Sequence, residues 1–146
     1  GSVFRTADAF LLEGIVLTGY TPRPPHRDIQ KSALGATETV TWVYYPDTIK
    51  AIEDLSADGY VIWAVEQTDQ SMPLDGFIDM KREEKLALVF GNEVSGVSDG
   101  VLERAAGSIE IPQYGSKHSL NISVAAGIVL WAIVNKMAGA SLALKP

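Results

Sequence analysis

Leu88-Val89-Phe90-Gly91-Asn92-Glu93-Val94-Ser95-Gly96, followed by Ile111-Pro112-Gln113-Tyr114-Gly115 and then Ser119-Leu120-Asn121-Ile122-Ser123, decides the reading of this chain. Each piece has the same grammar. An apolar strand stops at a glycine turn or polar loop, and a helix start with small polar side chains follows. Two such strand ends, about twenty residues apart, imply one pocket at the carboxyl edge of a parallel sheet.

The flanking sequence supports an α/β domain. Val3, Phe4, Ala7, Phe10 and Leu11 recur at helical spacing, so residues 3–12 are expected to form an amphipathic helix ended by Gly14. Ile15 to Thr18 follows as a short buried strand. The proline-rich stretch Gly19 to Arg27 fits neither a helix interior nor a central strand. Asp28 is expected to cap a short helix through Leu34, closed by Gly35. Val40 to Tyr45 has strand composition, Asp47 can cap a helix from Thr48 to Ala57, and Tyr60 to Val65 is another strand.

Glu66 to Glu84 is expected to be loop, with a short turn around Leu74 to Ile78. Leu86 to Phe90 is a continuous apolar strand of the kind buried on both faces. Asp99 to Ala106 should form a short helix closed by Gly107, Ser108 to Ile111 a last strand, and Ser119 to Met137 a long apolar helix. Strands alternating with helices mean a parallel sheet flanked by helices. From Ile122 to Val134 the last helix is apolar nearly all round, more than one small sheet can cover, so a subunit interface is expected to cover the rest.

Composition bounds the function. The 146 residues are 47% hydrophobic and 21% charged, which suits one folded domain. The absence of cysteine excludes disulfides, thiol nucleophiles and Cys-ligated zinc, and is compatible with the cytoplasm. The longest apolar run, Val124 to Val134, is shorter than the roughly 20 residues a bilayer span takes. His26 and His118 have no acidic partner at metal-ligand spacing, so no metal site is expected, and His118 is read as a solvent or substrate-edge residue.

Net charge is −6, the wrong sign for tight nonspecific RNA binding. The charge is uneven, however. Residues 1–36 hold four Arg/Lys against three Asp/Glu, while residues 37–146 hold eight against fifteen. Arg23, Arg27 and Lys31, with His26, form a small cluster in the less acidic part, a candidate phosphate-facing edge for a nucleic-acid substrate.

Gly91 to Gly96 fits G-x-E-x-x-G and not the dinucleotide pattern G-x-G-x-x-G. Its glycines allow a tight turn and close backbone approach to a ligand. A carboxylate at Glu93 is a poor phosphate neighbour. It suits organising the loop through nearby backbone N–H groups, or contacting a cationic or hydroxyl-bearing partner. Ser119 is the expected N-cap of the last helix. That leaves Asn121 without a capping duty and available to a pocket.

These pieces resemble, in order, the second and third signature motifs of the SpoU family of RNA ribose methyltransferases, and the resemblance covers nearly the whole chain. Gly1-Ser2-Val3-Phe4-Arg5-Thr6-Ala7 is similar to the first motif, in which an asparagine stands two residues before that glycine and an arginine four after it. Arg5 matches; the asparagine would lie before residue 1, so a preceding strand and the start of this motif are expected to be missing. The resemblance implies a SPOUT-type fold with a C-terminal trefoil knot, S-adenosylmethionine as methyl donor, and a homodimer acting on the ribose 2′-hydroxyl of tRNA or rRNA.

By the same resemblance, Arg5 would engage RNA phosphate and hydroxyl, while Glu93, Ser119 and Asn121 orient the pocket. The donor would lie in the Gly91–Gly96 loop and against Phe90, Gly91, Ile111, Gln113 and Leu120, with Gln113 standing where the family often has methionine. A base methyltransferase on a related fold and a noncatalytic donor-binding module are the alternatives. The Ser-Leu-Asn motif speaks for ribose, and Arg5 with Asn121 for catalysis.

Overall fold

The computed structural model describes residues 1–79, 85–117 and 119–138. In chain order these form α1 (Ser2–Ala9), β1 (Ile15–Thr18), α2 (Arg27–Ala33), α3 (Ala36–Thr39), β2 (Trp42–Tyr45) and α4 (Thr48–Ala57). There follow β3 (Tyr60–Val65), β4 (Met72–Pro73), α5 (Leu74–Asp79), β5 (Lys85–Phe90), α6 (Asp99–Arg104), β6 (Gly107–Glu110) and α7 (Ile122–Ala138). β1 pairs with β2, and a second sheet runs β4-β6-β3-β5; every ladder is parallel. Parallel strands place their carboxyl ends, and the loops that leave them, along one edge.

The second sheet is covered on both faces. From β3, Ile62 and Ala64 pack with Ile52 of α4 and Val101 of α6, whereas Trp63 and Val65 pack with Phe77 of α5 and Val129 and Ile133 of α7. β5, in register from Tyr60 opposite Lys85 to Val65 opposite Phe90, divides the same way. Ala87 and Val89 face the first cluster, and Leu86, Leu88 and Phe90 the second. Burial on two sides is why these strands read as unbroken apolar runs. A separate core under the first sheet joins Phe4 and Ala7 of α1 to Leu17, Ile29 and Ala33.

Several boundaries differ from the sequence expectations. α1 ends at Ala9, because the Leu12 N–H turns back to the Ala7 carbonyl at 2.9 Å and Leu11 takes a left-handed φ of 53°. The cap of α2 is His26, whose Nδ1 accepts the Asp28 N–H, not Asp28 itself. Gly35, at φ 88°, opens the additional helix α3 and does not simply close α2.

The stretch expected to be loop from Glu66 carries β4, paired with Ile109 and Glu110 of β6, and the short turn expected around Leu74 to Ile78 is the helix α5. Its last residues, 80–84, lie outside the described residues. Gly107 begins β6 instead of ending a helix. A Cβ there would come within 2.6 Å of the Trp63 ring, so the glycine makes room for the indole.

Candidate active site

The ends of β3, β5 and β6 and the start of α7 converge on one open cleft of about 610 Å3. That size is typical of small-molecule sites. β5 supplies Phe90 and Gly91 and the loop that follows; β6 leads to Ile111 and Gln113; Ser119, Leu120 and Ile122 come from the start of α7. The two strand ends picked out in the sequence therefore meet in space.

The loop after β5 is a closed turn. Asn92 and Gly96 exchange backbone hydrogen bonds, with Gly96 N–H to Asn92 O at 2.8 Å, and the Asn92 Oδ1 accepts the Val94 N–H at 2.7 Å. This is the local bonding by which asparagine stabilises turns. Gly96 has φ 68°, a region L side chains rarely enter. Gly91 is constrained by space: a Cβ there would lie 2.3 Å from the Gly96 carbonyl carbon and 2.4 Å from the Val97 nitrogen. The two glycines let the limbs of the loop touch.

Glu93 does not do the loop-organising work expected of it. Its side chain is exposed, and the bonds that hold the loop come from Asn92 and from Glu66. Glu66 lies one residue beyond β3, and its Oε2 accepts the Val97 N–H at 2.9 Å. Sequence reasoning placed Glu66 in a loop and passed over it. The available signal was its position, a polar residue directly after an apolar strand whose neighbours end in the same pocket.

The start of α7 also differs. Asn121, not Ser119, caps it: the Asn121 Oδ1 accepts the Ser123 N–H at 2.8 Å, and the Asn121 carbonyl accepts the Ala125 N–H at 2.9 Å. Ser119 lies ahead of the helix and lines the cleft, whereas Asn121 sits between the lining residues Leu120 and Ile122. His118 lies outside the described residues.

The cationic residues stand apart from the cleft walls. Arg5 is exposed on α1, and Asp8, three residues on, accepts a hydrogen bond from Thr39 Oγ1 at 2.8 Å. Arg23 lies in the loop after β1, its guanidinium 4.1 Å from the centre of the Tyr44 ring, while Arg27 and Lys31 are exposed on α2. The described walls of the cleft carry Glu66, Glu93 and Glu110 and no lysine or arginine. Such a cavity favours a cationic ligand and repels phosphate.

No group of three His, Asp or Glu side chains among the described residues could hold a metal ion, and no described helix is long and apolar enough to cross a membrane.

A parallel α/β domain with a glycine-turned cleft at its carboxyl edge defines a class of ligand-binding enzyme folds. The chain belongs to the SpoU rRNA Methylase family, whose model matches residues 1–131. A Bacillus subtilis (strain 168) protein named as a TrmH family tRNA/rRNA methyltransferase, YacO, is 34% identical over 136 residues, covering 93% of this chain and 53% of its own. The chain thus spans about half the length of the curated relatives it matches.

Among solved structures, an AdoMet-bound rRNA methyltransferase from Sinorhizobium meliloti superposes with a TM-score of 0.83 at 26% identity, over 92% of this chain and 50% of that one. The A. aeolicus TrmH/SpoU tRNA modifying enzyme gives 0.80 at 25% identity, over 92% and 66%.

Proposed function

We propose that this domain transfers a methyl group from S-adenosylmethionine to the 2′-hydroxyl of a ribose in tRNA or rRNA. The observation that carries the reading is the meeting, in one cleft, of the Gly91–Val97 turn with Ile111, Gln113, Ser119 and Leu120. The names of the Bacillus relative and of the Sinorhizobium neighbour support the reaction class and the donor.

The cleft suits that donor on its own terms. Phe90, Ile111 and Leu120 offer apolar surface for a flat purine, and the strand ends offer backbone groups for its edges. When bound, S-adenosylmethionine supplies an electrophilic methyl group on a cationic sulfur, and the carboxylates of Glu93 and Glu110 provide a field of opposite sign, that of Glu66 being engaged on backbone N–H groups.

Methyl transfer needs neither a metal nor a protein nucleophile. The ribose oxygen bonds to the methyl carbon as the carbon–sulfur bond breaks, its electron pair stays on sulfur, and the hydroxyl proton leaves to an acceptor. What the protein must supply is alignment and help with that proton. Asn121 is the residue we assign to alignment: its cap to Ser123 fixes the side chain and uses only the oxygen, which leaves the amide NH2 to donate. Arg5 supplies the cation for an RNA phosphate and the reacting hydroxyl. Arg23, Arg27 and Lys31 extend a basic edge away from the acidic cleft, so that donor and RNA meet surfaces of opposite charge.

A second copy of the chain completes the reading. α7 packs Val129 and Ile133 against its own sheet and buries Ala126 and Leu130 as well, yet Val124, Ile128 and Trp131 form an exposed stripe at helical spacing, with Trp131 58% exposed. A homodimer across that stripe, and a trefoil knot near the C-terminus, belong to the same proposal.

The testing experiment is transfer of labelled methyl from S-adenosylmethionine to bulk RNA by the full-length protein. Incorporation that Asn121→Ala abolishes supports the reading. No incorporation into either transfer or ribosomal RNA would leave a noncatalytic binding module.

A further inference from the structure

We propose that Glu66 is a positioning residue for the methyl donor, clamping the Gly91–Val97 loop to the end of the central strand; this rests on the donor reading of the cleft given above. Glu66 is pinned between two strand ends, its own N–H donating to the Ile109 carbonyl at 3.0 Å. From there the half-buried side chain crosses to the loop that leaves β5. Oε2 accepts the Val97 N–H at 2.9 Å, and Oε1 accepts the N–H of Gln67 at 3.2 Å. Val97 is buried, so its bond to the carboxylate is sheltered from water.

Gly96 is shaped around this clamp. A Cβ there would fall 2.5 Å from the Glu66 Oε2, in addition to the cost of a side chain at φ 68°. The bonds from Asn92 close the loop only upon itself. The Glu66 carboxylate ties the returning limb to β3 through a charge-assisted hydrogen bond, stronger than a neutral one. Position and shape of the donor-facing loop therefore depend on a side chain from a different strand.

The consequence is a specific kinetic pattern in the full-length protein. Loss of a hydrogen bond to a charged acceptor predicts that Glu66→Ala weakens S-adenosylmethionine binding about tenfold, read by calorimetry and as a matching rise in donor KM. At saturating donor the loop is held by the ligand, so kcat should stay within about twofold. Glu66→Gln keeps one oxygen for the Val97 N–H and should restore affinity to within about threefold of wild type. Hydrogen exchange at the Val97 amide should speed up in Glu66→Ala and stay slow in Glu66→Gln. If Glu66→Ala does not fold, Glu66→Asp, one methylene too short for the span, carries the same measurements.

Gly96→Ala provides an independent reading. Its penalty on donor affinity should be smaller in a Glu66→Ala background than in wild type, because the carboxylate it collides with is gone. Donor affinity unchanged in Glu66→Ala but lost in Gly91→Val would overturn the clamp and keep the cleft. A fall in kcat with KM unmoved would also overturn it, leaving Glu66 a structural residue. Affinity unchanged in both Glu66→Ala and Gly91→Val would remove the donor reading of the cleft itself.

Discussion

The side-chain oxygen of Asn121 accepts the backbone N–H of Ser123 at 2.8 Å, so the residue proposed to align the ribose also caps α7, between the cleft-lining residues Leu120 and Ile122. The two duties can be separated. Asn121→Ala loses the cap and should cost about 1 kcal/mol of stability. Asn121→Asp keeps a capping oxygen and should unfold within about 0.5 kcal/mol of wild type. Both lose the amide NH2, and both should lose methyl transfer. Thermal unfolding beside an RNA methylation assay checks the pair; an active Asn121→Asp would reduce Asn121 to a cap.

Gly91→Val should abolish donor binding. Its Cβ would press on backbone at Gly96 and Val97, and backbone cannot step aside as a flexible side chain can. Forcing the limbs apart should cost about 1–3 kcal/mol of stability and more than tenfold in S-adenosylmethionine affinity. Calorimetry on the folded variant decides it, and unchanged affinity would take the loop out of the site.

Arg5 should matter for transfer and not for donor binding. It is exposed, and Asp8 is engaged by Thr39, so Arg5→Ala should change stability by less than about 0.5 kcal/mol. On the proposed contact with RNA phosphate and hydroxyl, donor affinity should hold while methylation falls about a hundredfold or more, the scale of losing a charged group that stabilises a transition state. Arg5→Lys should restore only part of the rate, since a planar two-pronged contact is lost although the charge remains. Full activity in Arg5→Ala would make it an ordinary surface residue.

Light scattering of the full-length protein at micromolar concentration should give a dimer, and Trp131→Glu a monomer. A central tryptophan at an interface is commonly worth about 2 kcal/mol or more, and a charge in its place adds desolvation cost. Unchanged circular dichroism would show that the stripe, not the fold, was affected. A monomeric wild type would leave the exposed faces of Val124, Ile128 and Trp131 to another partner.

The repeating strand logic was legible because two-sided burial removes polar residues from strands. β1, α4 and β3 fall within the bounds expected, and Asp47 caps α4 through the Ile49 N–H as its position suggested. What escaped were features set by tertiary contact. β4 is two residues long and exists only because β6 pairs with it, so no periodicity could reveal it.

Gly107 looks like a helix stop until the Trp63 ring is seen against it. In the site the spacing located the glycine turn, but neither the first residue of α7, expected at Ser119 and found at Ile122, nor which carboxylate holds the turn. Glu93 lies inside the motif, whereas Glu66 reaches the loop from the end of the neighbouring strand β3. Likewise Ser119 and Asn121 are both good capping residues, and only the fold decides between them.

The chemical identity of the product tests the proposed reaction most directly. Alkali cleaves RNA because a free 2′-oxygen attacks its neighbouring phosphate, and a methyl on that oxygen blocks the attack, whereas a methyl on a base does not. Full-length protein would be incubated with methyl-labelled S-adenosylmethionine and bulk RNA, the RNA hydrolysed in alkali, and the labelled fragments sized. The expected result is label in alkali-resistant dinucleotides. Label confined to mononucleotides would mean a methylated base and contradict the ribose assignment.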